Sequence, residues 1–394
     1  MAPVILVLNS GSSSIKFSLY QDEVEQIAGQ ISGLGAEPRL DLLSRISGKA
    51  IDRALNSSEA RSHNTALQAL LPVIDEELGG RPVTAVGHRV VHGGTDHDLP
   101  LKITDEIMDE LRALEPLAPL HQPHNLAGIE AARAAFPEAI QTACFDTAFH
   151  RKHPWVNDTF ALPRSLYDEG VRRYGFHGLS YEYICEHLKQ NDPSAYSGRV
   201  IVAHLGNGAS MCAIRGGQSI GSTMGFTALD GLPMGTRCGQ LDPGVVLYLL
   251  TTKGMSPDDV SDLLYKQSGL KGLSGVSQDM RTLTQSDDPK AKEAIDYYVF
   301  RIRRELGAMA AVLGGIDTIV FTGGIGENSA LIRQRVCDSQ EWLGLEIDPE
   351  LNDAGALRIS TEKSKISVLV IPTNEEEMIR RHTSALLSAE TTPA

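Results

Sequence analysis

The chain has 394 residues and a formal net charge of −14, with 42% hydrophobic and 22% charged residues. This length exceeds what one hydrophobic core usually serves, so we expect two domains. The acidic balance argues against a general nucleic-acid or membrane-surface binder, because both need a basic face. The five cysteines include no C-x-x-C pair, and the N-terminal apolar run is too short for a signal peptide. We therefore expect a soluble, cytoplasmic protein with no nucleic-acid or membrane partner.

The chain opens with a predicted β-hairpin. An apolar run at residues 4–8 precedes an Asn/Gly/Ser turn at 9–14, and a second apolar run follows at 15–20. The N–H groups and hydroxyls of such a turn suit an anion, phosphate above all. The pattern returns at residues 200–214 and, in part, at residues 319–328. This repetition predicts a duplicated, two-lobed nucleotide-binding protein.

Strands and helices alternate through the rest of the first half. Residues 85–91 form a predicted strand, and Asn125 is the predicted N-cap of a helix over residues 126–135. Residues 139–145 then form a strand that delivers Asp146 at its end.

The second half continues the alternation. One helix is predicted to begin after Ser256, and another runs over residues 290–313 to a pair of glycines. Predicted strands at 316–321 and 367–371 follow, and a last helix ends near Leu387. Alternating strands and helices predict the α/β class.

The common nucleotide and hydrolase motifs are missing. Gly48 and Lys49 lack the spacing of a P-loop, and residues 324–326 lack the third glycine of a dinucleotide fold. Ser219 matches the hydrolase pattern G-x-S-x-G, but loop-like sequence follows it where a helix is required. We predict a hairpin turn there instead of a nucleophile.

Three histidine pairs have spacings that metal ligands can show, namely 88/92, 121/124 and 150/153. They lie on strand or Pro-rich segments, where the spacing does not fix a common face, so we do not expect structural zinc. A single histidine donating an N–H to an anion is the better interpretation.

Two arginines stand out from their surroundings. Arg89 lies within an apolar strand-like segment, where an unpaired guanidinium is costly to bury, so a structural ion pair is one interpretation. Arg237 lies in a loop crowded with glycine, where packing does not explain it. A planar guanidinium binds carboxylate or phosphate with two parallel hydrogen bonds, so both arginines suit a reaction between anions.

The sequence resembles the acetate kinase family in segments that keep the same order from the first strand to the last helix. These segments are residues 9–17, 88–93, 145–150, 174–178, 204–208, 231–237, 323–328 and 372–375. The resemblance implies a two-lobed, duplicated actin-like ATPase fold of the ribonuclease H-like type, with the active site in a cleft between the lobes.

The implied domains are an N-terminal lobe of residues 1–148 plus 376–394 and a C-terminal lobe of residues 149–375. The resemblance also implies a homodimer formed through the C-terminal lobe. The polar segment 150–155 is a plausible first boundary.

The implied activity is reversible, in-line transfer of a phosphoryl group from ATP to acetate, giving ADP and acetyl phosphate for acetyl-CoA biosynthesis. By resemblance, Asn9 and Glu375 hold Mg²⁺, with Mn²⁺ as a substitute, while Ser12 and Lys16 lie at the ATP phosphates. The segments implied to bind the nucleotide comprise His204, Leu205, Gly206, Asn207, Gly208, Asp279, Met280, Arg281, Gly324, Ile325, Gly326, Glu327 and Asn328.

The resemblance further implies that Arg89 grips the acetate carboxylate, and that His177 and Arg237 stabilise the transferring phosphoryl group. Asp146 would complete the site. Because a carboxylic acid such as acetate is already ionised at neutral pH, a catalytic base is unnecessary. We therefore predict that Asp146 orients an arginine or a metal-bound water.

The pocket for the methyl group is implied to consist of Val91, Leu120, Phe176 and Ala228. The sequence has Ala228 where many family members have Pro, and Cys238 and Gln240 replace the usual Ser and Asp. The smaller residue could admit propionate, so a propionate or butyrate kinase is one alternative. A non-kinase ATPase module like Hsp70 or actin is another, although it has no need for Arg89.

Overall fold

The computed structural model of the chain describes residues 3–11, 14–34, 37–56 and 58–391. Its strands are β1 (Val4–Ser10), β2 (Ser14–Gln21), β3 (Val24–Ser32), β4 (Arg39–Ser44), β5 (Ala50–Ala54), β6 (Ala85–Val90), β7 (Leu101–Lys102), β8 (Ile140–Phe145), β9 (Arg199–Leu205), β10 (Ala209–Arg215), β11 (Gln218–Ser222), β12 (Thr318–Thr322) and β13 (Ser367–Val370).

The helices follow in chain order. They are α1 (His63–Leu78), α2 (Asp105–Ala113), α3 (Gln122–Ala135), α4 (Trp155–Asp158), α5 (Arg164–Asp168), α6 (Gly178–Asn191), α7 (Pro193–Ser197), α8 (Pro243–Thr251), α9 (Pro257–Lys266), α10 (Gly269–Ser274), α11 (Met280–Thr284), α12 (Pro289–Leu313), α13 (Gly323–Asn328), α14 (Ala330–Cys337), α15 (Pro349–Asp353) and α16 (Glu375–Thr391), with 3-10 turns at Glu115–Leu117, Ala148–His150 and Glu341–Leu343. No helix among the described residues is long and apolar enough to cross a membrane.

The chain divides into two compact units. Unit 1 comprises Met1–Ala148 together with Asn374–Ala394, and unit 2 comprises Phe149–Thr373. The sequence predicted that the chain returns to the first lobe at residue 376, whereas it returns to unit 1 at Asn374. The reason is that α16 begins at Glu375 and packs on β1, β6 and β8. Glu375 therefore belongs to unit 1, and its predicted assignment to the second lobe is wrong.

The two units repeat one sheet topology. In unit 1 the strand order is β5-β4-β3-β2-β1-β6-β8-β7, and in unit 2 it is β11-β10-β9-β12-β13. Each sheet contains an antiparallel three-strand meander, β1–β3 or β9–β11. On the other side of its first strand lie two further strands in parallel, β6 and β8 in unit 1 and β12 and β13 in unit 2. The duplication predicted from the repeated hairpins is confirmed at the level of strand order and direction.

Two of the three repeated glycine segments are hairpin turns, and the third is not. Residues after β1 and β9 form turns that join antiparallel strands. The segment at residues 323–328 is instead helix α13, so the glycine-rich turn predicted there is wrong. The physical reason is that β12 pairs in parallel with both β9 and β13, and parallel strands need a crossover.

Helix α3 also differs from its prediction. It begins at Gln122 with His121 as N-cap, and its proline lies in the first turn, where a missing N–H costs nothing. Asn125 is therefore inside the helix, only 4% exposed, and is not a cap. The predicted start of α9 and the predicted end of α12 are confirmed, since Ser256 caps α9 and Gly314 ends α12 in a left-handed conformation.

The hydrolase-like serine lies in a hairpin, as predicted. The β10–β11 turn contains Gly216 and Gly217, both with positive φ, and Ser219 follows within β11. Ser219 is buried, and its hydroxyl lies 2.8 Å from His150 Nδ1 and 2.6 Å from His153 Nε2. These contacts give the 150/153 histidine pair a structural explanation.

A neutral histidine lies in the unit 1 sheet next to Arg89. His88 is 2% exposed and donates from Nε2 to Gln141 Oε1 at 2.8 Å. Burial lowers the pKa of His88 to about 4, despite an opposing contribution from the hydrogen bond to Gln141. In the unfolded chain the same group titrates near 6.5.

This difference predicts an acid-labile contribution to stability. Because the folded pKa is depressed, the unfolded chain binds more protons between about pH 6.5 and pH 4, and stability falls as the pH falls through that window. The wild-type free energy of unfolding should drop relative to that of His88→Gln by up to about 3 kcal/mol. Urea denaturation across that range measures it, with His187→Gln as the control. A constant difference between the wild type and His88→Gln would contradict the prediction.

Candidate active site

Four elements of unit 1 bring predicted site residues together. β1 carries Asn9 near its end, β6 carries Arg89, and Asp146 follows directly after β8. Glu375 is the first residue of α16, which packs on β1 and β6. The carboxyl ends of these parallel strands meet at one edge of the sheet, where ligands of open α/β sheets commonly bind.

Arg89 is the centre of this cluster. Its guanidinium makes two parallel bonds to Asp146, from Nε to Oδ1 at 2.9 Å and from Nη2 to Oδ2 at 2.5 Å. Nη1 donates to Asn9 Oδ1 at 3.3 Å, and Nε lies 3.7 Å from Glu375 Oε2. The Asp146 side chain is 2% exposed, so this fork is largely shielded from solvent. The expectation that Asp146 orients an arginine agrees with this geometry.

Charge and burial oppose each other in the cluster. Burial lowers the pKa of Arg89, but attraction to Asp146 and Glu375 outweighs it, and the pKa lies above its usual range. Burial is also the main cause that raises the pKa of Glu375 to about 7, with Asp146 adding to the shift and Arg89 opposing it. A second carboxylate beside Asp146 is therefore costly to ionise without another cation.

The first hairpin turn adjoins this cluster. Lys16 lies directly opposite Asn9 in the β1–β2 register and is exposed. The backbone N–H of Gly11 donates to Ser14 O at 2.8 Å and closes the turn. Ser12 lies outside the described residues.

In unit 2, the β9–β10 turn brings a second group of predicted residues together. The His177 side chain contacts Ser210, with Nδ1 2.8 Å from the serine Oγ. Its ring stacks on that of His204, with 4.3 Å between the ring centroids. A Cβ built on Gly208 would lie 3.0 Å from Arg237 Nη2 and 3.2 Å from His177 Nε2. A larger residue at this position would require the two side chains to shift away from the turn by a few tenths of an ångström.

The loop that carries Arg237 packs on the same turn. Gly235 N donates to Asn207 O at 3.1 Å, and Arg237 Nη1 donates to the carbonyl of Ala228 at 2.7 Å. Ala228 is half-buried, and Phe176 is 2% exposed. Val91 and Leu120, the other members of the predicted methyl pocket, belong to unit 1, where Val91 is buried and Leu120 is half-buried.

Unit 2 also contains a cavity of about 590 Å³, a size suited to a nucleotide or another small molecule. Its lining combines backbone of the β9–β10 turn, the start of α11 and helix α13. The lining residues are Gly206, Asn207, Gln278, Asp279, Met280, Arg281, Thr284, Gly324, Ile325, Asn328 and Ser329.

Several residues of the predicted nucleotide segments do not line this cavity. Leu205 is fully buried and Gly326 is buried, so neither offers a side chain to a ligand there. The Glu327 carboxylate accepts from Gly323 N at 2.8 Å and Thr373 N at 3.1 Å. The Glu327 side chain is thus bonded to backbone N–H groups, and its predicted role at the nucleotide stays a prediction.

His204 and Gly208 lie outside the cavity lining as well, since they face the His177 side of the turn. Gln278, Thr284 and Ser329 line the cavity but were not predicted. Each is adjacent to a predicted residue or one helical turn from it, so a search one residue beyond each motif would have found Gln278 and Ser329.

A magnesium ion fits the donor set in unit 1. The amide oxygen of Asn9 and the carboxylate of Glu375 are hard oxygen ligands, and both approach the same guanidinium. Among the described residues, no group of three or more His, Cys, Asp or Glu is arranged to hold a metal ion. Mg²⁺ needs few protein ligands when substrate phosphates supply the others.

The chain matches known proteins over nearly its whole length. A model of the acetokinase family matches residues 4–381. The acetate kinase of Methylocella silvestris is 55% identical over 98% of each chain, and that of Rhizobium meliloti is 51% identical over 98% of each. A solved acetate kinase of Porphyromonas gingivalis is 36% identical, with a TM-score of 0.87 over 98% of this chain and 100% of that one. A propionate kinase of Francisella tularensis is 35% identical, with a TM-score of 0.90 over 97% and 99%.

Proposed function

The chain belongs to the acetokinase family, and we propose that it transfers the γ-phosphoryl group of ATP directly to acetate. The products are acetyl phosphate and ADP, and the reaction is reversible. The observation that carries the proposal is the Arg89–Asp146 fork, which holds a guanidinium in fixed orientation beside further oxygen groups. Such a guanidinium suits a carboxylate substrate, whereas an ATPase that only binds partners has no use for one.

Arg89 binds the acetate carboxylate in this proposal. Asp146 accepts from Nε and from one N–H of Nη2, and Asn9 accepts from one N–H of Nη1, which leaves one N–H on each of Nη1 and Nη2 for a substrate oxygen. Asp146 acts as an orienting group and not as a base, because acetate needs no deprotonation at neutral pH. One carboxylate oxygen attacks the γ-phosphorus, a new O–P bond forms, and the bond from phosphorus to the β–γ bridging oxygen breaks. The electron pair leaves with ADP, and no proton transfer is required.

Arg237 and His177 stabilise the transferring phosphoryl group. Both side chains lie against Gly208 in the β9–β10 turn, so their N–H groups are held close together before a ligand arrives. Preorganised donors of this kind are a large source of rate enhancement, and a well-placed arginine contributes about 10³ to 10⁵ in related phosphoryl transfers. ATP or ADP occupies the unit 2 cavity, with Asn207, Asp279, Arg281 and Asn328 among its polar neighbours.

Asn9 and Glu375 would hold Mg²⁺, or Mn²⁺ in its place, and Lys16 would contact the outer phosphates. When bound, the ion supplies positive charge that offsets the charge of the phosphates. The raised pKa of Glu375 supports this role, since burial makes its carboxylate costly to ionise and a further nearby cation would offset that cost. A cytoplasmic location completes the proposal, because none of the five cysteines, all of them described, forms a disulfide, and ATP is available there.

Substitution of Arg89 tests the proposed function. Arg89→Lys keeps the positive charge but removes the planar fork, so kcat/KM for acetate should fall by roughly 10² to 10³, while KM for ATP changes by less than about two-fold. The assay follows acetate-dependent ADP formation and traps acyl phosphate with hydroxylamine. Arg81→Lys is the control, because the Arg81 side chain donates to the carbonyl of Leu78 and lies outside the candidate site. ADP formation that is independent of acetate in the wild type would favour an ATPase module and contradict the proposal.

The choice between acetate and propionate depends on Ala228 in our proposal, and propionate is the alternative substrate. Ala228→Val keeps the carbonyl that accepts from Arg237 but adds two methyl groups. The ratio of kcat/KM for propionate to that for acetate should fall by about ten-fold, the size expected for roughly one methylene. Ala228→Gly should move the same ratio in the opposite direction. Equal ratios in all three proteins would remove Ala228 from the pocket.

We also propose that two copies of the chain associate through α8. None of the α8 residues is buried, the helix has no charged residue, and Leu247 is 61% exposed. An uncharged apolar surface of this kind is typical of the centre of a homodimer interface. Leu247→Glu should convert a dimer to a monomer in analytical ultracentrifugation, whereas Leu99→Glu, at an exposed leucine of unit 1, should not. A monomeric wild type at micromolar concentration would contradict this.

A further inference from the structure

The parallel pairing of β1 with β6 stops at the residues that carry the unit 1 cluster. The register runs from Ile5 opposite Ala85 to Leu8 opposite His88. The next residues on the two strands are Asn9 and Arg89. Beyond this point β1 continues its pairing with β2, and β6 continues with β8. β1 and β6 therefore separate where the candidate site begins. Their distance beyond this point must be set by contacts other than the backbone hydrogen bonds between them.

The amide of Asn125 bridges that gap. Its Nδ2 donates to Ser10 O at 2.7 Å, and its Oδ1 accepts from Val91 N at 2.9 Å. Ser10 directly follows Asn9, and Val91 lies two residues after Arg89. Asn125 is 4% exposed, so both bonds are made away from solvent, where an unsatisfied backbone group is costly. The side chain replaces the ladder bond that the separated strands cannot make.

Helix α3, which carries Asn125, makes further contacts with the ends of β1 and β6. Gln122, one turn earlier on α3, accepts from His92 N at 3.2 Å and donates to His92 O at 3.1 Å. Gly128 lies one turn later, and a Cβ there would come within 2.3 Å of Ser10 Oγ. Positions 122, 125 and 128 share one face of α3, so the helix is held tightly against the ends of both strands.

We propose that Asn125 is a positioning residue that sets the separation between Asn9 and Arg89. The proposal rests on the function proposed above. Only a side chain with one donor and one acceptor in this geometry satisfies both Ser10 O and Val91 N. Asn125 acts through the backbone and touches no substrate. Its loss should disturb acetate and metal binding in unit 1 and leave nucleotide binding in unit 2 intact.

The experiment compares Asn125→Ala and Asn125→Asp with the wild type. Asn352→Ala is the matched control, because Asn352 is also a buried amide with two bonds, to Arg333 and to the carbonyl of Ala330, but in unit 2. The readouts are half-saturating acetate at saturating ATP, ADP affinity by calorimetry, and Mn²⁺ affinity in the presence of ADP by electron paramagnetic resonance. Thermal denaturation shows that each variant is folded.

Asn125→Ala should raise half-saturating acetate by about ten-fold and weaken Mn²⁺ binding several-fold, with ADP affinity within about two-fold of the wild type. The control should lower the melting temperature comparably and leave half-saturating acetate unchanged. If the role of Asn125 is purely structural, Asn125→Ala lowers the melting temperature but leaves half-saturating acetate and Mn²⁺ binding unchanged. That result overturns the proposal. If the wild type shows no acetate-dependent turnover, the proposed function fails first, and the Mn²⁺ measurement still tests Asn125.

Asn125→Asp adds a pH readout. A protonated aspartic acid reproduces both bonds of the amide, whereas its carboxylate repels Ser10 O. Burial raises the pKa of such a group, so kcat/KM relative to the wild type should rise several-fold from about pH 8.5 to about pH 6. The titratable neighbours His92, His121 and His124 are present in every variant, and so are Arg89 and Asp146. The same ratio for Asn125→Ala should stay flat. A flat ratio for Asn125→Asp overturns the proposal, and this outcome can be read even if Asn125→Ala does not fold.

Discussion

A guanidinium that is largely shielded from water needs polar partners, and in unit 1 the partners of Arg89 form the candidate site. Asp146 takes two of its N–H groups in a parallel fork, Asn9 takes a third, and Glu375 lies within ion-pair distance. Removing one member of such a buried pair leaves an uncompensated charge, which is much more costly than losing a surface ion pair. The strands β1, β6 and β8 and the start of α16 are thus constrained to converge on one charged group.

The duplicated sheets provide this convergence twice and use it differently. Each unit places a hairpin turn at the end of the first strand of the same five-strand topology. In unit 1 the residues beside that turn are the oxygen groups of Asn9 and Asp146 and the cation of Arg89. In unit 2 they are the imidazoles of His177 and His204 and the guanidinium of Arg237, next to a cavity of nucleotide size. In our proposal, this common architecture presents acetate-binding groups in unit 1 and phosphoryl-binding groups in unit 2.

The sequence was most informative where local chemistry decides the structure. The hairpin after β1, the serine cap of α9 and the glycine end of α12 all follow from turn and capping residues, and the structure has each of them. The sequence led to a wrong prediction at Asn125, because asparagine is a common helix cap. The Asn125 side chain instead bonds the backbone at the ends of two strands, each more than 30 residues away in sequence. The pairing of Arg89 with Asp146 spans 57 residues, and no local pattern predicts it. Only the family resemblance suggested that these two side chains share a site.

The central claim is that Asp146 acts through Arg89, and a double-mutant cycle tests it most directly. The measurement is kcat/KM for acetate in the wild type, Asp146→Asn, Arg89→Leu and the double variant. We expect each single substitution to lower kcat/KM by a factor on the order of 10² or more. The kcat/KM of the double variant should equal that of Arg89→Leu within about two-fold, because the two residues act together. Losses that multiply in the double variant would show that Asp146 has a separate role and would contradict the account.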